Sequence, residues 1–143
     1  MFKNQTFLTL KLTIMITNAI DQVKEFAEAF NIKYSKEINP NLDQSTIDLR
    51  FRLMEEENLE YLEATKNNDI VEIADALGDI LYILCGTILA HGLQHKIVEV
   101  FNEIQRSNMS KLDINGKPVI REDGKILKGP NYFKPNIKGI LDK

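Results

Sequence analysis

The sequence predicts an all-α protein: a four-helix bundle followed by an irregular C-terminal tail that contains a small β-hairpin. Three observations predict it. Apolar residues recur at helical spacing through most of residues 17–107. Capping and stopping residues fall between those segments. Glycine and proline then crowd into residues 110–135, where the periodicity ends. A chain of 143 residues suits one domain around one core.

The N-terminus, Met1 to Ile16, opens with Lys3 and an apolar stretch. A secretory signal starts this way, but Lys11 interrupts the apolar run and no small-x-small cleavage site follows. Leu8, Leu10, Leu12 and Ile14 alternate with Thr9, Lys11 and Thr13, which is strand periodicity. The stretch is a short added strand, or an extension (1–14) upstream of a second candidate start at Met15; the extension is preferred and carries no assigned function. The first helix is expected from about Thr17, a capping residue, to Asn31, with Ile20, Val23, Phe26, Ala27 and Phe30 on one stripe. Asn39-Pro40-Asn41 breaks the connection. The second helix is expected over about Asp43 to Lys66, ended by Asn67-Asn68, and Asp69 can cap the third. The third is expected to reach His91, with Gly92 as its stop. The fourth is expected over about Gln94 to Ser107, with Ile97, Val98, Phe101 and Ile104 on one face. In the tail, Lys117 to Leu127 reads as the β-hairpin, with short apolar arms around Glu122-Asp123-Gly124.

Composition narrows the class. Hydrophobic residues make up 43% and charged residues 27%, ordinary for a globular protein. The lone cysteine, Cys85, cannot form an internal disulfide, so a reducing, cytoplasmic setting is expected. The uncharged stretch Ile80 to Leu93 is short for a bilayer span, so no membrane role is expected. Residues 1–110 carry 10 basic and 17 acidic side chains, whereas 111–143 carry 8 basic and 4 acidic. An acidic body with a basic tail suits a ligand that is both metal-bound and phosphorylated, although a solvated tail has the same composition. An acidic body without a basic, aromatic-laced helix argues against nucleic-acid binding.

The acidic residues carry the chemistry. At about 100° per residue, Glu72, Asp75 and Asp79 share one stripe of the third helix. Ala74, Leu77, Leu81, Leu84 and Ile88 form the apolar stripe opposite. From Ile80 to Ala90 the helix is apolar nearly all round, which marks a helix covered on most sides. On the second helix, the stripe that begins with Leu49 and Leu53 continues as Glu56, Glu57 and Glu60. Any one of these acids, with Arg50 and Arg52 nearby, reads as a solvated surface charge. Two acidic groups on core-facing stripes of adjacent helices do not, because they would repel and lose hydration unless a cation compensates. Oxygen ligands without histidine or cysteine favour Mg²⁺ over zinc, and Mn²⁺ satisfies the same preference.

Glu57-x-x-Glu60 followed by Glu72-x-x-Asp75 resembles the E-x-x-E and E-x-x-D signature of the all-α nucleoside triphosphate pyrophosphohydrolases, which include MazG, the dimeric dUTPases and phosphoribosyl-ATP pyrophosphohydrolase. The strings Leu-Met-Glu-Glu-Glu-Asn-Leu-Glu (53–60) and Glu-Ile-Ala-Asp-Ala-Leu-Gly-Asp-Ile-Leu-Tyr (72–82) strengthen the likeness. So do Ser107-Asn-Met-Ser-Lys111 and Gly124-Lys-Ile-Leu-Lys-Gly-Pro-Asn-Tyr132, which look like the phosphoribosyl-ATP pyrophosphohydrolase-like, MazG-type branch. The resemblance covers about residues 15–138. Its E-x-x-E part alone is weak; both acidic groups with the tail are specific.

The resemblance implies a MazG-like bundle (15–110), with the basic tail (111–143) completing the substrate site. It implies Mg²⁺-dependent cleavage between the α- and β-phosphates of a nucleoside triphosphate, giving the monophosphate and pyrophosphate, with a house-cleaning role on (d)NTPs such as dUTP. The metal ligands would be Glu56, Glu57, Glu60, Glu72, Asp75 and Asp79. Members differ over whether the counterpart of Asp75 or of Asp79 closes the site; Asp75 is preferred. Glu57 is the candidate general base, because it sits at the edge of its stripe while Glu56 and Glu60 point along it. Asn108, Lys111, Lys125, Lys128 and Tyr132 are the candidate substrate contacts, with Arg106 a weaker one. A homodimer or dimer of dimers is implied, and the third helix has more apolar face than its neighbours can cover. Two other readings stand beside this one. Phosphoribosyl-ATP hydrolysis lacks the histidine often found after the second motif, where this chain has Ile80-Leu81-Tyr82. A helical dimer could instead bind nucleotides without turnover.

Overall fold

The structure is a computed structural model that describes the backbone of residues 2–143 and the side chains of residues 15–143. Its helices are α1 (Phe2–Ala29), α2 (Gln44–Lys66), α3 (Ile70–Ala90), α4 (Ile97–Met109) and α5 (Ile137–Leu141). The chain forms two units, Met1–His95 and Lys96–Lys143.

In the first unit, α3 packs against both α2 and α1. The strand that the alternating residues offered as an alternative is not formed: α1 begins at Phe2 and takes in the extension, and Thr17 lies in its interior rather than capping it. No glycine or proline occurs before Pro40, so nothing stops the helix from running on upstream. Ile20, Val23 and Ala27 of α1 are buried, as are Ala76, Cys85, Ile88, Leu89 and Ala90 of α3. The Phe26 ring meets Tyr82 edge-on at 5.7 Å between centroids.

Local chemistry sets the helix ends. Asp43 accepts from the Thr46 amide at 2.9 Å and caps α2. Asp69 accepts from the amides of Val71 and Glu72 and caps α3. Asn68 adopts φ 53°, and the Asp69 amide reaches back to the Ala64 carbonyl at 3.1 Å, which closes α2. Gly92 does the same for α3, at φ 68°. The last carbonyls of α3 have few helical donors, and Leu89 O takes one from the Gly92 amide at 3.1 Å, which leaves capacity for others. The α1–α2 connection supplies them: the Ser35 amide donates to Leu89 O at 3.0 Å, Ser35 Oγ to Ala90 O at 2.7 Å, and the Asn39 amide to His91 O at 2.9 Å. By length and composition α3 could cross a membrane, but Glu72, Asp75 and Asp79 interrupt its apolar course.

In the second unit, α5 packs on α4 and buries Ile140. Ser107 is buried and donates to Phe133 O at 2.8 Å, and the Phe133 amide returns a bond to Ser110 Oγ at 3.2 Å. Glu103 accepts from Arg106 twice and from the Asn136 amide, and these bonds hold its carboxyl below the usual range. The expected β-hairpin reduces to one antiparallel bridge, Ile120 to Ile126, around the turn at Gly124. Its arms are too short to bury a face: Ile120 and Ile126 are 58% and 57% exposed, and Pro118 offers no amide donor.

Candidate metal and catalytic site

The short link between α2 and α3 makes them an antiparallel pair, so residues late in α2 face residues early in α3. Arg50 fixes the register. Its Nη2 donates to Ile83 O at 2.6 Å and its Nε to Thr87 Oγ1 at 3.0 Å, with Gly86 leaving room for the guanidinium. Two turns further along the same face of α2 comes Glu57. It is half-buried, and its Oε2 is buried without a hydrogen-bond partner. Burial raises the Glu57 pKa, and the charges of Glu60, Asp79, Glu56 and Asp75 raise it further. Both helices therefore contribute negative charge around one desolvated carboxylate.

The sequence placed Glu57 at the edge of its stripe, with Glu56 and Glu60 along it. The structure turns Glu57 inward and leaves Glu56 and Glu60 exposed. The inward face of α2 runs through Arg50, Leu53, Glu57 and Ala64, whereas Leu49 is largely exposed. In the sequence an arginine beside acids reads as a surface partner; the spacing of seven between Arg50 and Glu57 is the signal that they share a face. Glu72 lies exposed in the first turn of α3 and is not among the groups that shift Glu57. Among the described residues, no three His, Cys, Asp or Glu side chains already converge closely enough to hold an ion. The donor set still fits a hard cation: it is all carboxylate, mutually repulsive, and centred on an oxygen that lacks a donor.

The candidate substrate residues lie in the second unit. Lys111 Nζ donates to Asn108 Oδ1 at 2.8 Å, so these two pair with each other. The Lys128 ammonium sits over the Tyr132 ring at 4.5 Å from its centroid. Lys125 is exposed. The Arg106 guanidinium lies over Phe133 at 4.2 Å and is bonded to Glu103, which commits it to the unit's own packing.

The family model of phosphoribosyl-ATP pyrophosphohydrolase matches residues 23–108, a span that holds both acidic groups and Arg50. The chain belongs to the phosphoribosyl-ATP pyrophosphohydrolase family. Membership brings a pyrophosphohydrolase-type activity on a nucleotide, and residues 109–143 of this phosphoribosyl-ATP pyrophosphohydrolase family member lie outside the match. Among solved structures, the chain is similar to a provisionally named NTP pyrophosphohydrolase from Exiguobacterium sp. 255-15, at 21% identity and a TM-score of 0.49, over 87% of this chain and 94% of that one. No curated protein matches the sequence.

Proposed function

We propose that the chain is a Mg²⁺-dependent nucleoside triphosphate pyrophosphohydrolase that hydrolyses the α–β phosphate bond and releases the monophosphate and pyrophosphate. The observation that carries this reading is Glu57: a carboxylate with one buried, unpartnered oxygen, acted on by the charges of Glu56 and Glu60 on its own helix and of Asp75 and Asp79 on α3. Such a group is stabilised by a cation and is basic enough to take a proton. Glu56, Glu60, Glu72, Asp75 and Asp79 would hold the ion. When bound, Mg²⁺ supplies compensation for the phosphate charges and Lewis-acid polarisation of the chain. Glu57 takes the proton from the attacking water, and the desolvation that raises its pKa makes it the better base. Two copies of the chain would cover the apolar faces that one copy leaves exposed, and a cytoplasmic (d)NTP house-cleaning role suits this activity.

A second substrate, phosphoribosyl-ATP, is favoured by the family model itself. It presents the same α–β linkage to the same carboxylates. Pyrophosphate release measured across dUTP, dCTP, the other triphosphates and phosphoribosyl-ATP separates the two. The proposal expects Mg²⁺-dependent turnover of at least one nucleoside triphosphate. Turnover of phosphoribosyl-ATP alone would move the assignment to the second substrate. Binding of a non-hydrolysable triphosphate in calorimetry, without pyrophosphate release from any nucleotide, would leave a non-catalytic nucleotide binder.

A further inference from the structure

A second group of polar side chains, with one buried and unpartnered oxygen among them, lies towards the opposite end of α3 from the carboxylates. There a pocket of about 340 Å³ opens among α1, the α1–α2 connection and the turn after α3, wholly within the first unit. Asp75 and Leu89 are fourteen helical residues apart, roughly 21 Å at the usual rise, so this is not the carboxylate site. The volume is in the range of small-molecule sites. Ile20 and Leu89, both buried, give it apolar lining.

The pocket's charges come in matched signs. Asp21 and Lys24 lie one turn apart on α1, and Lys36 and Glu37 are neighbours in the connection. Among the described residues, Asp21, Lys36 and Glu37 form no ion pair, and Lys24 makes a loose 3.9 Å approach to Glu28 and lies 5.8 Å from the centroid of the Tyr34 ring, which also lines the pocket. These four do not neutralise one another, although they share one cavity. Gln94 adds a third unmet demand. Its Nε2 donates to Ser35 O at 3.0 Å, which fixes the amide's orientation. Its Oε1 is then a buried acceptor with no donor, an arrangement that proteins avoid.

A plain anion would meet Asp21 and Glu37 here, and a plain cation would meet Lys24 and Lys36. A ligand that carries both charges satisfies all four, and an ammonium supplies the donor that Gln94 lacks. We propose that this pocket binds a free α-amino acid. Its carboxylate pairs with Lys36 and Lys24, its ammonium faces Asp21, Glu37 and Gln94 Oε1, and its side chain rests on Ile20 and Leu89.

Calorimetry of the intact protein with each of the twenty amino acids tests this without reference to turnover. At least one amino acid should bind saturably. Its des-amino analogue should bind at least about tenfold more weakly, a loss of about 1.4 kcal/mol. Asp21→Asn and Lys36→Met change exposed residues, so both should keep the wild-type melting temperature while weakening binding at least about tenfold. The proposal is overturned if no amino acid binds, if both variants bind as the wild type does, or if the des-amino analogue or inorganic phosphate binds as tightly.

Discussion

Arg50 and Gly86 occupy one space: a β-carbon on residue 86 would stand 2.7 Å from Arg50 Nη2. Gly86 lies on the same stripe of α3 as Asp79, and Arg50 on the same face of α2 as Glu57, so the contact sets the register in which the carboxylates face each other. Arg50→Ala should cost about 1–3 kcal/mol in denaturant unfolding, from two lost hydrogen bonds and the packing of the half-buried stem. Arg50→Lys should recover little, because a single ammonium cannot serve both acceptors with the same geometry. Gly86→Ala should be destabilising in the wild type yet stabilising in the Arg50→Ala background, where only the helix-propensity gain of about 1 kcal/mol remains. A double-mutant cycle that shows additive effects would remove Arg50 as the reason for the glycine.

Glu57 makes a prediction of opposite sign. A carboxyl whose pKa is higher in the folded chain holds its proton more tightly there. Its contribution is therefore most favourable at low pH and is lost as pH rises from about 4.5 through the raised value. Without divalent cation, Glu57→Gln should melt higher than the wild type at neutral pH and should lose this part of the pH dependence. Added Mg²⁺ should raise the wild-type midpoint more than the variant's. Pyrophosphate release should fall at least about 10²-fold in the variant. Full turnover with unchanged metal binding would mean that Glu57 is not the base.

What was legible in the sequence was local. Asp43, Asp69, Asn68 and Gly92 each act on amides or carbonyls within a turn of themselves, so their roles follow from residue type and position. Helical period also places Asp75 and Asp79 near enough to act on Glu57, but the core-facing position expected of both acidic groups is taken by Glu57 alone, while Glu56, Glu60, Glu72, Asp75 and Asp79 are exposed. Tertiary facts were not legible. Arg50 is half-buried where Gly86 makes room thirty-six residues away, and Glu57 rather than Glu56 shares the inward face with Arg50. At the N-terminus seven alternating residues imitated a strand, and in the tail two short apolar arms imitated a hairpin; both patterns are too short to outweigh their surroundings. The α5 helix is five residues long and rests on the Asn136 cap and Ile140, below what periodicity can reveal.

The Asp43 cap gives a pH test independent of the site. Bonds from Ser45 and from the Thr46 amide and hydroxyl lower its pKa from 3.8 to about 2. The stabilisation is complete above the ordinary carboxylate range and is lost as pH falls through about 4 to 2. Asp43→Ala should lower the melting temperature at pH 7, and the gap to wild type should close in that window. A gap that persists at pH 2 would assign the effect to something other than the charge of the cap.

The apolar stripe that the sequence set opposite the acids is largely bare. Leu77, Leu81 and Leu84 on α3 are 50%, 53% and 45% exposed, and Phe51, Leu59 and Leu62 on α2 are exposed as well. Exposed apolar side chains on two long helices suit burial against another chain, and the proposal places a second copy there. In analytical ultracentrifugation the wild type should sediment as a dimer or larger. Its melting temperature should rise with protein concentration, because association stabilises the folded chain by mass action. Leu81→Glu would place a charge in the middle of the stripe and should give a monomer that melts lower, with no dependence on concentration. Asp75 and Asp79 lie on the other side of α3, so any loss of turnover in Leu81→Glu would show that the carboxylate site depends on the second subunit. A monomeric wild type that melts at the same temperature at all concentrations would exclude the second copy.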